Sequence, residues 1–289
     1  MANLNDPYIH NVESDFFVDN SCINCGTCYW MAPNVFENIN NQSAVSNHPT
    51  KKGDIHLAHA ARYSCPTNSI GFKGNENIGH SFPRCLDENV YHLGFHDRKS
   101  FGATSYFIKT GSKNIMIDSP RFATSLVNNI QRLGGVQLQL FTHQDDIADG
   151  DKYNKKFNST VYYPKDEKQH ERLKVDTFLE SDNKDIQITP ELLAIPVPGH
   201  TKGHFCFLYK EKFLFTGDHL CYSSKLGHLF AFLNHCWYSK VDLFESVIKL
   251  KNYTFSAILP GHGAPRLFNS TSEATESLDE GIEWIKRHI

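Results

Sequence analysis

Pro196–His204 reads PVPGHTKGH and leaves the end of a predicted strand as a loop carrying two histidines. Three other stretches repeat the arrangement: LFTHQDDIADG (Leu140–Gly150), LFTGDHL (Leu214–Leu220) and LPGHG (Leu259–Gly263). In each, histidine or aspartate follows an apolar run. Divalent metals take neutral imidazoles and ionised carboxylates, and a mixed His/Asp set suits Zn, Fe or Mn better than Ca or Mg. Ligands on loops at one edge of a sheet are held by rigid strands while the metal stays open to substrate. Glycines at 199, 217, 261 and 263 let the backbone turn sharply enough for the side chains to converge.

Strands and helices alternate around these loops. Ala103–Lys109 and Asn114–Ile117 read as a hairpin across Thr-Gly-Ser-Lys. Asp118, Ser119 and Pro120 open a helix around Phe122–Leu133 that Gly134 and Gly135 end, and Val136–Phe141 is a strand. Phe205–Tyr209 and Lys212–Thr216 form a second hairpin. A helix over Val241–Lys251, a strand over Ser256–Leu259 and a closing helix over Ser272–His288 follow. This order predicts a layered α/β domain over 101–289. Gly71–Pro83, rich in Gly, Asn and His, reads as a linker, so the chain divides into 1–75, a linker and entry segment 76–100, and 101–289.

The first part carries CINCGTC (Cys22–Cys28) and, after 36 intervening residues, Cys65-Pro66. Two-cluster ferredoxins use C-x2-C-x2-C-x3-C-P, with the fourth cysteine serving the other cluster. Here Ala32-Pro33 holds that place and no second run exists, so one 4Fe-4S cluster on Cys22, Cys25, Cys28 and Cys65 is expected. A structural zinc site would favour two separated cysteine pairs. Disulfides would require an oxidising compartment. CINCGTCYWMAPNVF and CPTNSIGF resemble single-cluster ferredoxins over roughly 12–75.

The 29 basic and 32 acidic residues of this 289-residue chain give a net charge of −3, which advertises neither a nucleic-acid nor an anionic-membrane partner. The start, MANLNDPYIHNVESD, has no basic and apolar regions of a secretory signal, and no apolar run approaches the length that spans a bilayer. The expected setting is cytoplasmic, with Cys85, Cys206, Cys221 and Cys236 as small buried hydrophobes.

PGHTKGH, FTGDHL and LPGHG, in this order, resemble the metallo-β-lactamase superfamily and its glyoxalase II-like branch. The resemblance implies a four-layer αββα sandwich with one or two divalent ions at its open edge. It makes His200 a first-site ligand, Asp218 the bridging carboxylate and His262 a second-site ligand. The whole chain is similar to ferredoxin-fused members of cyanobacterial-type and plant plastid lineages, which share the cysteine run and a THxDDxAD segment. The first loop departs from the superfamily pattern H-x-H-x-D-H. One register keeps His143 and puts Asp145 at the second histidine, with Ile147 and Ala148 at the next two places. Shifting by two brings Asp149 to the aspartate place and Gly150 to the histidine. The acidic run Asp145, Asp146, Asp149 also reads as a solvated turn. His204 reads as a residue that orients or packs its loop, and Asp118 as either a support for the site or a helix cap.

Three functions compete. A redox enzyme would couple the cluster to a non-haem metal held by His143, Asp145, His200, Asp218 and His262, because hydrolysis consumes no electrons and a carboxylate in the histidine place suits iron or manganese. A small-molecule substrate and a redox partner protein would follow. A zinc hydrolase of a thioester-like molecule would use the ion as Lewis acid, with Asp145 or Asp149 as general base. An electron carrier with a degenerate metallo-domain is the third.

Overall fold

The computed structural model describes residues 2–74, 79–182 and 184–289. The N-terminal part builds on β1 (Phe16–Val18), α1 (Thr27–Met31), the hairpin β2 (Phe36–Ile39) and β3 (Gln42–Val45), α2 (Lys52–Ser64) and β4 (Ile70–Phe72). Asn40 and Asn41, both left-handed at φ 52° and 61°, make the tight turn between β2 and β3. The ends of this part are drawn together where β4 pairs antiparallel with β1, Phe72 opposite Phe16.

A seven-stranded sheet follows: β5 (Arg84–Asp87), β6 (Val90–His92), β7 (Tyr106–Ile108), β8 (Ile115–Ile117), β9 (Leu138–Leu140), β10 (Thr160–Pro164) and β11 (Thr177–Leu179), side by side in chain order. The first four are antiparallel and the last four parallel. Helix α3 (Thr124–Arg132) joins β8 to β9, and α4 (Gly150–Phe157) joins β9 to β10. Gly135, at φ 74°, ends α3 by donating to Ile130 C=O at 2.9 Å.

The second sheet comprises β12 (Ile186–Thr189), β13 (Leu192–Pro196), β14 (Phe205–Tyr209), β15 (Phe213–Gly217) and, after the ribbon β16 (Cys221–Ser223) and β17 (His228–Phe230), β18 (Ala257–Pro260) and β19 (Arg266–Leu267). Helices α5 (Lys240–Lys249) and α6 (Thr271–Lys286) cover its outer face, each started by a serine, Ser239 and Ser270, that accepts a backbone N–H.

Period-two alternation makes the layers. Tyr106, Ile108, Ile115 and Ile117 meet Phe205, Phe207, Phe213 and Phe215 between the sheets. Cys206, Leu208 and Leu214 face α5 and α6, where Leu243, Val247, Leu278 and Ile282 complete a second core. Phe107 and Met116, on the other side of the first sheet, meet α3. These are the expected αββα layers. That same outer core continues into the N-terminal part through Phe82, Phe16, Val18 and Ala61, so the two parts share buried apolar surface.

Residues 84–92 are a correction to the reading of 76–100 as linker and entry segment. They form β5 and β6 of the first sheet. Their turn residues Asp87, Glu88 and Asn89 are polar, and β5 is an edge strand with exposed or half-exposed residues, so no alternating apolar pattern announces it. Part of the expected linker, residues 75–78, lies outside the described residues. Among the described residues no helix is long and apolar enough to cross a membrane.

Candidate metal centres

Two positive-φ residues, Asn24 (55°) and Gly26 (85°), wrap the 22–28 loop so that Cys22, Cys25 and Cys28 face Cys65, which sits directly after α2. The four cysteines line one cavity with Thr27, Ser43 and Pro66. Donors point at the sulfurs: Asn24 N–H at 3.4 Å from Cys22 Sγ and Ser69 N–H at 3.3 Å from Cys65 Sγ. The Thr27 hydroxyl lies 3.4 Å from Cys25 Sγ. Burial pushes the Cys25 thiol up to about 11 and Cys28 further. Thiolates in so dry a pocket require cationic partners, and iron supplies them. The four donors fit a 4Fe-4S cluster.

In the second part, His143, His200, Asp218 and Asp145 come together at the end of the sandwich. Asp218 Oδ2 lies 3.7 Å from both His143 Nε2 and His200 Nε2, and Asp145 Oδ2 lies 3.9 Å from the same two nitrogens. These distances exceed hydrogen bonds. Two ligands each about 2 Å from one ion are at most about 4 Å apart, so the spacing suits donors facing a shared cation. A second group, Asp146, Asp218 and His262, shares the same aspartate. Asp218 Oδ1 lies 2.7 Å from His262 Nδ1, so its two oxygens serve different groups. The fit to metal is carried by orphaned atoms: His143 Nε2, His200 Nε2, His262 Nε2 and both Asp146 oxygens are buried with no hydrogen-bond partner.

Electrostatics point the same way. Burial opposes charge on His143, yet the carboxylates of Asp146, Asp218 and Asp118 lift it to about 10. Burial likewise opposes charge on His262, and Asp218 lifts it to about 9. Burial and the neighbouring Asp218 charge push Asp146 well above the usual carboxylate range. This is a pocket with a surplus of negative charge, which a divalent ion neutralises.

The surrounding chain holds these groups in place. Asp118 accepts from Thr142 N–H (2.8 Å) and from its hydroxyl (3.0 Å), and that hydroxyl lies 3.0 Å from His143 Nδ1. Asp118 therefore orients the first histidine through Thr142. His204 Nε2 accepts from Asp218 N–H at 3.2 Å and its ring stacks on His143. It orients its neighbours. Gly261 is small for a reason: a Cβ there would lie 2.7 Å from both Asp146 Oδ2 and Asp218 Oδ1.

Asp146 is the ligand candidate that neither sequence register placed. A single 3-10 turn over Gln144–Asp146 sends Asp145 outward and Asp146 inward, so the first loop supplies two carboxylates from adjacent positions. No sequence signal separates it from Asp145 and Asp149, because the turn alone decides which carboxylate points inward. Asp149, read as a candidate general base, belongs to neither group. Its Oδ1 pairs with Lys99 and Lys152, each at 3.0 Å, and its Oδ2 accepts from Phe122 N–H at 2.8 Å. Burial works against its charge, but these donors outweigh it and hold the carboxyl below the usual range. Its stabilisation is thus present above the ordinary carboxylate pKa and fades as pH falls through the lowered folded value. Asp149→Ala should cost about 1–3 kcal/mol in a urea titration at neutral pH, since the Phe122 N–H loses its acceptor, and leave metal content unchanged.

Comparison with known proteins bears on both parts of the chain. Residues 18–72 match the 4Fe-4S single cluster domain of Ferredoxin I. The lactamase-like protein aptB of Emericella nidulans is 26% identical over 175 residues, 56% of this chain and 52% of that protein. A hydroxyacylglutathione hydrolase of Bartonella tribocorum is 30% identical over 137 residues, 46% of this chain and 53% of that protein. The chain spans about half the length of these curated relatives. The crystal structure of the DIM-1 metallo-β-lactamase superposes with a TM-score of 0.52 at 17% identity, covering 68% of this chain and 96% of that one. This protein therefore joins a single-cluster 4Fe-4S ferredoxin domain to a domain of the metallo-β-lactamase fold.

Proposed function

We propose that the chain is a redox metalloenzyme, in which the cluster exchanges electrons with a metal centre on His143, Asp145, Asp146, His200, Asp218 and His262 that acts on a small molecule. One observation carries this reading: residues 96–104 touch both centres. Gly102 packs against Cys25, with a Cβ there only 2.9 Å from the sulfur. The ring of the adjacent Phe101 lies 6.2 Å from that of His262, and Thr104 N–H donates to Gly261 C=O at 2.7 Å. Thr27 beside Cys25 lies 3.1 Å from His96 Nδ1, which donates to Gly102 C=O. A structural cluster would need no such continuity with the other site.

The metal, when bound, would supply an electrophile and an open position for the substrate. The donor set is rich in carboxylates, which suits iron or manganese. Asp145 remains half-exposed at the mouth, and the His200 imidazole beside it holds its carboxyl below the usual range, so it stays ionised at neutral pH. Trp237 (64% exposed) and Phe101 (54% exposed) stand beside His200 and His262 and would bracket a substrate with an apolar body. A soluble redox partner would feed the cluster. A thiolate-held cluster beside four further cysteines suits a reducing, cytoplasmic setting.

The match to a hydroxyacylglutathione hydrolase favours a second reading, hydrolysis of a thioester-like substrate with a structural or sensing cluster. The orphaned buried donors argue against a third, a carrier with a decayed metallo-domain. Anaerobic purification followed by iron, zinc and acid-labile sulfide analysis separates them. Iron in excess of sulfide is expected. Zinc at about one or two per chain without excess iron would establish the hydrolase, and a bare second site the carrier.

A further inference from the structure

Arg121 belongs to the metallo-β-lactamase-fold domain and reaches into the ferredoxin domain. Its backbone is pinned between β8 and α3, where its N–H donates to Phe95 C=O (2.9 Å) and its C=O accepts from the Tyr153 hydroxyl (3.1 Å). The guanidinium donates from Nη1 to Cys65 C=O (3.0 Å) and from Nη2 to Tyr63 C=O (2.8 Å), and lies 5.5 Å from the centre of the Phe95 ring. Among the described residues it forms no ion pair with a carboxylate. Arg121 is half-buried, and a cation drawn out of water is normally paired, because desolvation without a counter-charge is costly. The carbonyls at the end of α2 offer only a fraction of a charge. Two negative groups act on it from beyond ion-pair distance: the sulfur of Cys65, the cluster ligand whose own carbonyl Arg121 grips, and, more weakly, the Asp97 carboxylate.

A cluster held by four thiolates carries about two net negative charges and gains one more on one-electron reduction. A fixed cation beside it favours the reduced form. We infer that Arg121 is the counter-cation of the cluster and raises its reduction potential, so the second domain sets the redox poise of the first. The step is simple. One electron enters the cluster from a reductant such as dithionite, with no bond broken and no proton required. The inference holds whether the second domain performs redox chemistry or hydrolysis.

The test is a redox titration of the full-length, cluster-replete protein, followed by electron paramagnetic resonance, on the parent, Arg121→Gln and Arg121→Lys. At a fixed potential the reduced-to-oxidised ratio of Arg121→Gln should fall about ten-fold, since a unit charge near the thiolates acts through a partly buried medium. For a one-electron couple that is a shift of about 59 mV downward. Arg121→Lys keeps the charge and should stay within about three-fold of the parent. A Gln variant with full iron and sulfide whose ratio stays within about two-fold of the parent would overturn the inference and leave Arg121 as a helix cap between domains. Should the Gln variant fail to hold its cluster, a cluster-replete Lys variant that falls ten-fold overturns it equally, because its charge is retained.

Discussion

Asp218→Ala is expected to empty both metal-ligand groups at once while the cluster remains. One side chain serves both: Oδ2 faces His143 and His200, and Oδ1 lies against His262. Removing a group that merely supports a ligand lowers metal affinity about 10- to 100-fold. Removing a ligand shared by two groups should exceed that, so we expect roughly a thousand-fold loss of affinity. Non-cluster metal should then fall to a small fraction of the parent content after gel filtration. Sulfide content and cluster absorption should not change, since no hydrogen bond or ion pair of Asp218 reaches the cysteine loop. Cys25→Ser should do the reverse, removing the cluster and sparing the second site. Loss of both centres on either substitution would sink the separation of the two sites. Retention of the metal by Asp218→Ala would sink the shared-carboxylate geometry.

This geometry was partly legible in the sequence, and the reasons differ by residue. His200, Asp218 and His262 each directly follow a glycine in a loop after a strongly apolar strand, so type and place coincide. Cys22, Cys25, Cys28 and Cys65 were equally clear, because few structures need three cysteines at three-residue spacing. The first loop was harder. In QDDIAD three carboxylates compete for two inward positions, and only the backbone decides among them. The 3-10 turn buries Asp146, while Lys99 and Lys152, one of them 50 residues away in sequence, claim Asp149. Arg121 was invisible for the same reason. Its partners are the carbonyls of Tyr63 and Cys65, which no side-chain pattern encodes. Local pattern reads strands and ligand loops well, and it does not read contacts made across domains.

Gly102→Ala should strip the cluster for two steric reasons. The residue sits at φ +88°, a conformation that costs an L side chain about 1–2 kcal/mol. Its new Cβ would then lie 2.8 Å from Cys25 Cβ, 2.9 Å from Cys25 Sγ and 3.1 Å from Pro66 Cγ. None of these atoms is the free end of a flexible chain, since Pro66 is a rigid ring and the sulfur is tied once iron is bound. Overpacking of this kind typically costs another 1–3 kcal/mol, and the relief available is to move the 22–28 loop off the cluster. Gly53→Ala is the matched control. Its Cβ would meet nothing within 4 Å, and it lies in the first turn of α2, where alanine favours the helix by up to about 1 kcal/mol. One methyl group should therefore lower sulfide per chain several-fold at position 102 and leave it unchanged at 53. The second-site metal should survive in both, because the atoms a new Cβ at 102 would meet belong to Cys25 and Pro66 and none belongs to that site. If Gly102→Ala instead keeps its full sulfide and its parent melting temperature, residues 96–104 do not bear on the cluster. The redox reading then loses the contact on which it stands, and the hydrolase becomes the better account of this chain.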